Sequence, residues 1–418
     1  MEPFMAVRHL YVHVPFCRSR CAYCDFASEP VGPHRRARRV ELYLAALRAE
    51  LAVNRPLLAT TLETVYLGGG TPTVLPREDL LALVGELAGL LTPPAGQPRA
   101  LPLPAGHAPE FTVEANPGTI DVALLAGLEE AGATRLSLGI QSFSPGLRAA
   151  LGRAVTQEEI NESLEALRLA GWVEWNLDLV FGITGQTWAD VQADLSAALA
   201  AAPPHVSLYD LTYTARYSRR LLTRRGARKH AVPVPGAQEE PHEPALAAAA
   251  PGAESSARAA AEAFAEERYA QAVGMLVDAG YERYEVSNFA LPGHECRHNQ
   301  AYWLGEDYLG LGASAVSTIA GVRRTNPKTV AEYLGGAAPE LEGIDERKRV
   351  FEKAMLGLRT SRGVDEREVG SVLDIAALER LLRQGCVQRR YGRIRLNPGF
   401  VDVGNSIIAA LLEPPEGP

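Results

Sequence analysis

Three thiols stand within eight residues of one another in the run His13-Val14-Pro15-Phe16-Cys17-Arg18-Ser19-Arg20-Cys21-Ala22-Tyr23-Cys24-Asp25-Phe26, spaced C-x3-C-x2-C. Thiolates at that spacing can hold three corners of one [4Fe–4S] cluster. The other two cysteines, Cys296 and Cys386, are far away in sequence, so one iron would keep an open coordination position. A cluster with four protein thiolates is usually an electron carrier, whereas an open iron can bind a small molecule, as an open zinc site does. Structural zinc is the plainer alternative, but it usually takes four ligands arranged as two pairs with a span between them. Here His13 precedes the set and completes no second pair. A redox C-x-x-C pair belongs at the start of a helix in a different context.

These thiols need a scaffold, and the chain alternates β-rich and helical segments from its start. Strand patterns fall at His9–Val14, Thr64–Leu67, Glu110–Glu114, Arg135–Ile140, Val173–Val180 and Val206–Leu211. Helical patterns lie between most of them, at Arg36–Val53, Arg77–Leu91, Ile120–Ala131, Gln157–Ala170 and Trp188–Ala201. Repeated βα units imply a parallel sheet with right-handed crossovers. Six units without a closing pair predict an α/β fold, an open partial (β/α)6 barrel. In such folds ligands sit at the carboxyl ends of the strands. Those ends carry Gly68-Gly69-Gly70-Thr71-Pro72, Glu114, Gln141 and Asp178.

Two Pro/Gly/Ala-rich stretches interrupt the pattern. Thr92–Pro109 reads as a surface loop. Arg216–Ser256 opens with a basic cluster and continues without periodicity, which predicts a disordered or mobile insert. A helix resumes over Ala257–Ala279. From Glu346 the order is helix (Glu346–Leu358), helix (Ile375–Gln384), two short strands around Val387 and Ile394, and a closing helix (Val403–Leu412), as in a small winged-helix-like domain. The expected organisation is therefore a core over residues 1–213, an insert over 214–256, a barrel extension over 257–340 and a C-terminal domain over 341–418.

The chain has 418 residues, is 47% apolar and 22% charged, and carries a formal net charge of −8. That composition is ordinary for a soluble globular protein and gives no reason to expect nucleic-acid binding. No apolar run approaches the roughly 20 residues of a membrane span. Met1-Glu2-Pro3-Phe4-Met5 lacks the features of a secretory signal. An odd cysteine count with three clustered points to a reducing compartment, so a cytoplasmic location is expected.

The segment from Tyr11 to Phe26 resembles the cluster loop of radical S-adenosylmethionine (SAM) proteins, in which the amine and carboxylate of SAM chelate the open iron. The resemblance implies that Cys17, Cys21 and Cys24 hold the [4Fe–4S] cluster. It also implies that Gly69, Gly70 and Thr71 hold the SAM amino group. Glu114 can hydrogen-bond the ribose or the ammonium, and Tyr11, Gln141, Arg153 and Asp178 match further SAM positions. Each of these alone could equally be a strand-end cap, a tight turn or a packed aromatic.

The resemblance extends over nearly the whole chain and is to the coproporphyrinogen III oxidase-like group, in which two branches compete. The oxidase branch carries a further cysteine just past the third; Phe26 stands there in this chain. The heme-chaperone branch is marked by H-N-x-x-Y-W, which His298-Asn299-Gln300-Ala301-Tyr302-Trp303 matches in full. The resemblance therefore implies a carrier that binds heme and passes it to an unidentified acceptor protein. The alternative is an oxidative decarboxylase of porphyrinogen propionates. Heme iron takes His, Cys, Met or Tyr ligands, and His294, Cys296, His298 and Tyr302 lie together. Tyr302 and Trp303 could stack on a porphyrin. The structural alternative is that His298 and Trp303 fix the turn before Tyr308-Leu309-Gly310-Leu311-Gly312. Cys386 reads as a packed small residue.

Overall fold

The computed structural model describes residues 6–31, 36–93, 108–211 and 267–414. The insert expected over 214–256 lies outside these residues, as does most of the loop expected over Thr92–Pro109. The main sheet has twelve strands among the described residues. Its first six are β1 (His9–Val14), β2 (Thr64–Gly69), β3 (Glu110–Ala115), β4 (Arg135–Gln141), β5 (Trp175–Phe181) and β6 (His205–Asp210). Each pairs in parallel with the next in sequence order. The crossovers carry α1 (Arg36–Asn54), α2 (Arg77–Ala88), α3 (Val122–Glu130), α4 (Pro145–Leu151), α5 (Gln157–Ala170) and α6 (Trp188–Ala201). The strand expected from Val173 starts at Trp175, because Val173 is 70% exposed ahead of the sheet. Asp178 consequently sits in mid-strand and not at the carboxyl end.

Residues beyond the first six strands extend the sheet on both sides. A helix at 267–278 (α7) leads to β7 (Glu282–Arg283) and β8 (Asn288–Ala290), which continue antiparallel from β6. Next come α8 (Arg297–Trp303) and β9 (Tyr308–Leu311), which returns to lie parallel to β1. Strands β10 (Val316–Ile319), β11 (Val322–Thr325) and β12 (Glu340–Gly343) complete that edge. The order is therefore β12-β11-β10-β9-β1-β2-β3-β4-β5-β6-β8-β7.

The six parallel strands alternate with period two, and the period sorts the barrel wall. Leu10, Val12 and Val14, Val65 and Leu67, Phe111 and Val113, Leu136 and Leu138, Leu177 and Leu179, and Val206 and Leu208 all join one apolar core with the helices. The alternate residues, among them Tyr11, Tyr66, Glu114, Arg135, Asp178 and His205, line an internal cavity. The interior of this barrel is thus polar and partly open, where a closed (β/α)8 barrel fills it with branched apolar side chains.

Helix ends follow local capping rules. Thr156 with Glu159 and Thr187 with Asp190 form capping boxes on α5 and α6, and Gly171 closes α5 in the left-handed region. The last part of the chain has its own apolar core, including Leu358, Leu378, Ile394 and Leu411. To the expected helices and hairpin it adds a strand at Val364–Asp365, giving a three-stranded antiparallel sheet, and a short helix at Glu366–Val369. It is tied to the barrel by Arg283 to Asp402 at 2.7 Å and by the Ser361 amide to the Tyr284 carbonyl at 2.9 Å.

Gly310 in β9 has no room for a side chain, because a Cβ there would run into the Val316 carbonyl. Gly310→Ala should therefore destabilise the protein by about 1–3 kcal/mol, the usual range for overpacking. Urea unfolding followed by circular dichroism measures this as a lower midpoint at unchanged slope.

Candidate functional site

The cavity has a volume of about 640 Å³, within the range of roughly 300–1,000 Å³ typical of ligand pockets. Cys17, Cys21 and Cys24 line its mouth. Phe16–Cys17 pairs in parallel with Glu29–Pro30, and the Ala22 amide donates to the Leu151 carbonyl at 2.9 Å. Ala22 then packs with Leu147, Leu151, Val180, Ile183 and Leu211. The thiol loop is thereby clamped over the ends of β4, β5 and β6. Thr71 Oγ1 donates to Cys17 Sγ at 3.6 Å, and Arg153 Nη1 donates to Cys21 Sγ at 3.7 Å.

Among the described residues no three His, Cys, Asp or Glu side chains converge as one metal ion would require.

The other expected site residues face the same space. Tyr11, Gly69, Gly70, Glu114, Gln141, Arg153 and Asp178 all line the cavity, and Thr71 lines the adjoining recess beside Cys17 and Arg153. The glycines have reasons within the chain itself. Gly69 takes φ +105° and lies against the His13 ring, while a Cβ at Gly70 would meet the carbonyls of Val14 and Phe16. Their lack of side chains lets the end of β2 lie flush against the thiol loop. Gln141, a non-glycine residue at φ +73°, sits where the β4–β5 register shifts. That strained backbone turns its side chain back into the cavity mouth.

Two half-buried carboxylates face the cavity. Glu114 accepts from the Tyr66 hydroxyl at 2.8 Å and from the Gly69 amide at 2.9 Å. Burial nonetheless pushes its pKa up to about 7. Asp178 accepts from Asn176 at 2.7 Å, and burial raises it as well. A cationic ligand beside them would offset that desolvation.

Sequence reasoning missed Asn116 and His13. Asn116 donates to Thr71 Oγ1 at 2.6 Å and accepts from Arg153 Nη2 at 2.7 Å, so it links the turn after β2 to the arginine. Arg153 Nε is buried with no hydrogen-bond partner. His13 donates from Nε2 to the Ala27 carbonyl at 2.8 Å and takes the Tyr11 hydroxyl on Nδ1 at 2.9 Å. Burial lowers its pKa and keeps it neutral. The signal that would have found the wall residues is the polar phase of the strand alternation.

The His-Asn motif forms the floor. Glu110, at the start of β3, accepts from the backbone amides of Arg297 and His298, each at 2.9 Å, and from Cys296 Sγ at 3.4 Å. Burial pushes the Cys296 thiol up to about 12, so it stays protonated as that donor. His298 packs flat on Tyr66 with ring centroids 5.2 Å apart. Asn299 donates to the Tyr284 hydroxyl at 3.3 Å, and that hydroxyl lies 2.8 Å from His205 Nε2. His298, Asn299, Tyr302 and Cys296 line the cavity, whereas Trp303 does not. His294 lies 2.8 Å from Glu174 and is also outside the lining.

Three thiols at the mouth, a cation-seeking pair of carboxylates and an arginine with a free N–H suit a cluster with SAM on its open iron. The fold and the site define a radical SAM protein, and the family model for the Radical SAM superfamily matches residues 11–198. The chain is 34% identical over 375 residues to Heme chaperone HemW of Synechocystis sp., a match spanning 87% of this chain and 80% of that protein. To Heme chaperone HemW of Bacillus subtilis it is 30% identical over 97% of this chain and 99% of the relative. The chain belongs to the HemW family. Coproporphyrinogen III oxidase (HemN) from Escherichia coli, described as a Radical SAM enzyme, superposes with a TM-score of 0.71 over 97% of this chain and 90% of that one. At 20% identity that likeness concerns the fold alone. Among the described residues no helix is long and apolar enough to cross a membrane.

The raised pKa of Glu114 gives a signed expectation for the ligand-free protein. The folded state favours its protonated form, so its contribution is fully present below the ordinary value of 4.5 and is lost as pH rises towards 7. Glu114→Gln removes that dependence. Between pH 5 and pH 8 the wild type should lose about 1–3 kcal/mol relative to the variant, measured from denaturant midpoints at both pH values.

Proposed function

We propose that the protein is a heme chaperone, which binds heme and hands it to an acceptor protein while carrying a [4Fe–4S] cluster with exchangeable SAM. The observation that carries this reading is the shared cavity. The His-Asn motif that marks the heme-chaperone branch builds the floor of the space whose mouth holds the three thiols. The identity to HemW relatives along most of the chain supports it. So does Asp25-Phe26 after the third thiol, where the oxidase branch has another cysteine.

Cys17, Cys21 and Cys24 would hold the cluster. Tyr11, Gly69, Gly70, Thr71, Glu114, Gln141, Arg153 and Asp178 would surround SAM. Bound together, cluster and SAM supply one-electron chemistry that the side chains cannot. The chain's own residues position and desolvate. Arg153 and Asn116 brace the turn at Thr71, Glu114 and Asp178 offer negative charge to a cationic cofactor, and Phe26, 65% exposed, stands beside the mouth. His298 and Tyr302 would meet heme at the floor. His298 enters that role with both ring nitrogens already in hydrogen bonds, to Thr64 at 2.7 Å and to Tyr302 at 3.2 Å. Trp303, outside the lining, would contribute through the packing of α8.

Protein reconstituted with iron and sulfide should bind close to one heme per chain. Given SAM and a reductant, it should convert no coproporphyrinogen III. Sustained turnover to the protoporphyrinogen would instead establish the oxidase reading. Cys21→Ser should abolish the broad charge-transfer absorbance of the reconstituted protein, and unchanged iron and sulfide content in that variant would refute the ligand set.

A further inference from the structure

Two of the three thiols are met by hydrogen-bond donors that a single amide side chain arranges. Asn116 opens the turn Asn116-Pro117-Gly118-Thr119 after β3, and its backbone carbonyl accepts from the Thr119 amide at 3.1 Å and from the Thr119 hydroxyl at 2.6 Å. That turn holds the Asn116 side chain between Thr71 and Arg153. A Cβ at Gly139 would meet Asn116 Oδ1, so β4 makes room for the amide by having a glycine there.

Counting hydrogens fixes the direction of each bond. Arg153 only donates. Its Nη2 hydrogens go to Asn116 Oδ1 at 2.7 Å and to the Gly139 carbonyl. Its Nη1 hydrogens go to Cys21 Sγ at 3.7 Å and to the Tyr23 hydroxyl at 3.4 Å. An Asn116 amide turned the other way would set its NH2 against the guanidinium, so Nδ2 must face Thr71. Nδ2 donates to Thr71 Oγ1 at 2.6 Å. The Thr71 hydroxyl has a single hydrogen, which cannot be returned to that nitrogen. It goes to Cys17 Sγ, 3.6 Å away. One side chain therefore locks the arginine that reaches Cys21 and turns the hydroxyl that reaches Cys17.

A further donor waits beside the third thiol. Ser28 is buried and lines the cavity with Cys17 and Cys24. Its hydroxyl lies near both sulfurs, yet it forms no well-aligned hydrogen bond with either or with any other group. A buried hydroxyl without a partner is costly, and a sulfur carrying negative charge in front of it removes that cost. The Phe26 amide and the Arg20 side chain also face Cys24. Hydrogen bonds to the sulfurs of an iron–sulfur cluster favour its more negative, reduced form and so raise its reduction potential.

We propose that Asn116 is a positioning residue for the cluster: it aims Thr71 at the Cys17 sulfur and Arg153 at the Cys21 sulfur, and these two donors together with Ser28 set the potential at which the cluster accepts an electron. They act on a cluster held by Cys17, Cys21 and Cys24, whether or not heme occupies the cavity floor.

The test is a mediated redox titration of the reconstituted protein with titanium(III) citrate as electron donor, read by the electron paramagnetic resonance of the reduced cluster. Thr71→Val keeps the side-chain shape and removes one hydroxyl, and Ser28→Ala removes the other. In each variant the ratio of reduced to oxidised cluster at a fixed potential should fall roughly three- to tenfold, a negative shift of up to about 59 mV for a one-electron couple, at unchanged iron and sulfide content. Thr71→Ser should return the wild-type midpoint. Asn116→Asp offers Thr71 an acceptor, so the Thr71 hydrogen turns away from Cys17 and the midpoint falls. The new negative charge lowers it too, and a double-mutant cycle separates the two effects. In a Thr71→Val background only the charge effect is left, so Asn116→Asp should shift the midpoint less there than in the wild type. Equal midpoints for the wild type, Thr71→Val and Ser28→Ala, or an Asn116→Asp shift of the same size in both backgrounds, would overturn the proposal. A wild type that binds no cluster would remove the ligand set and the proposal with it.

Discussion

The cavity exists because a buried carboxylate at the base of β3 holds a short helix across the bottom of the barrel. Glu110 is 6% exposed, and its two oxygens receive the first free amides of α8 and the Cys296 thiol. An anion at a helix N-terminus is stabilised by the amide dipoles, by about 1–2 kcal/mol in partly buried settings. The same contacts satisfy a carboxylate that would otherwise be expensive to bury. Without this tie nothing in β1–β6 closes the lower end, since the inward positions there are His9, Thr64, Arg135 and His205 rather than apolar plugs. The motif residues follow from the anchor. Once α8 is seated, His298 meets Thr64 and Tyr66, Asn299 meets Tyr284, and Tyr302 reaches the cavity.

Many polar residues inside the barrel satisfy one another. His205, Asn176 and Asp178 show how: Nδ1 of His205 lies 2.6 Å from Asn176 Oδ1, and the Asn176 amide donates to Asp178. Such a network fixes tautomers and rotamers at the cost of buried charge. Burial nonetheless raises the pKa of Glu114 and Asp178 against the lowering effect of their hydrogen bonds. A wall of this kind is poor packing material and good binding material.

Much of this was legible in the sequence. The six strands were placed to within about two residues at each end, because each is a short apolar run ended by glycine or polar residues, and the crossover helices to within about three, apart from α4, which was not expected. Gly69, Gly70, Glu114, Gln141 and Arg153, singled out through the resemblance carried by the thiol loop, line the cavity. Asn116 was passed over, since an Asn-Pro-Gly turn looks complete without a side-chain role. Strands β9 to β12 were missed for a different reason. They are four residues each, β11 and β12 carry Arg and Glu, and β9 pairs with a strand at the far end of the chain. No local pattern encodes such a partner. For the expected heme region, the sequence could not show that His298 is hydrogen-bonded at both nitrogens or that Trp303 stands outside the cavity.

The central claim is that Glu110 seats α8 as the cavity floor. Hydrogen exchange in a Glu110→Ala protein tests it most directly. The account predicts that amides at 297–303 lose protection while those of β1–β3 keep theirs. Protection across α8 equal to that of the wild type would contradict it.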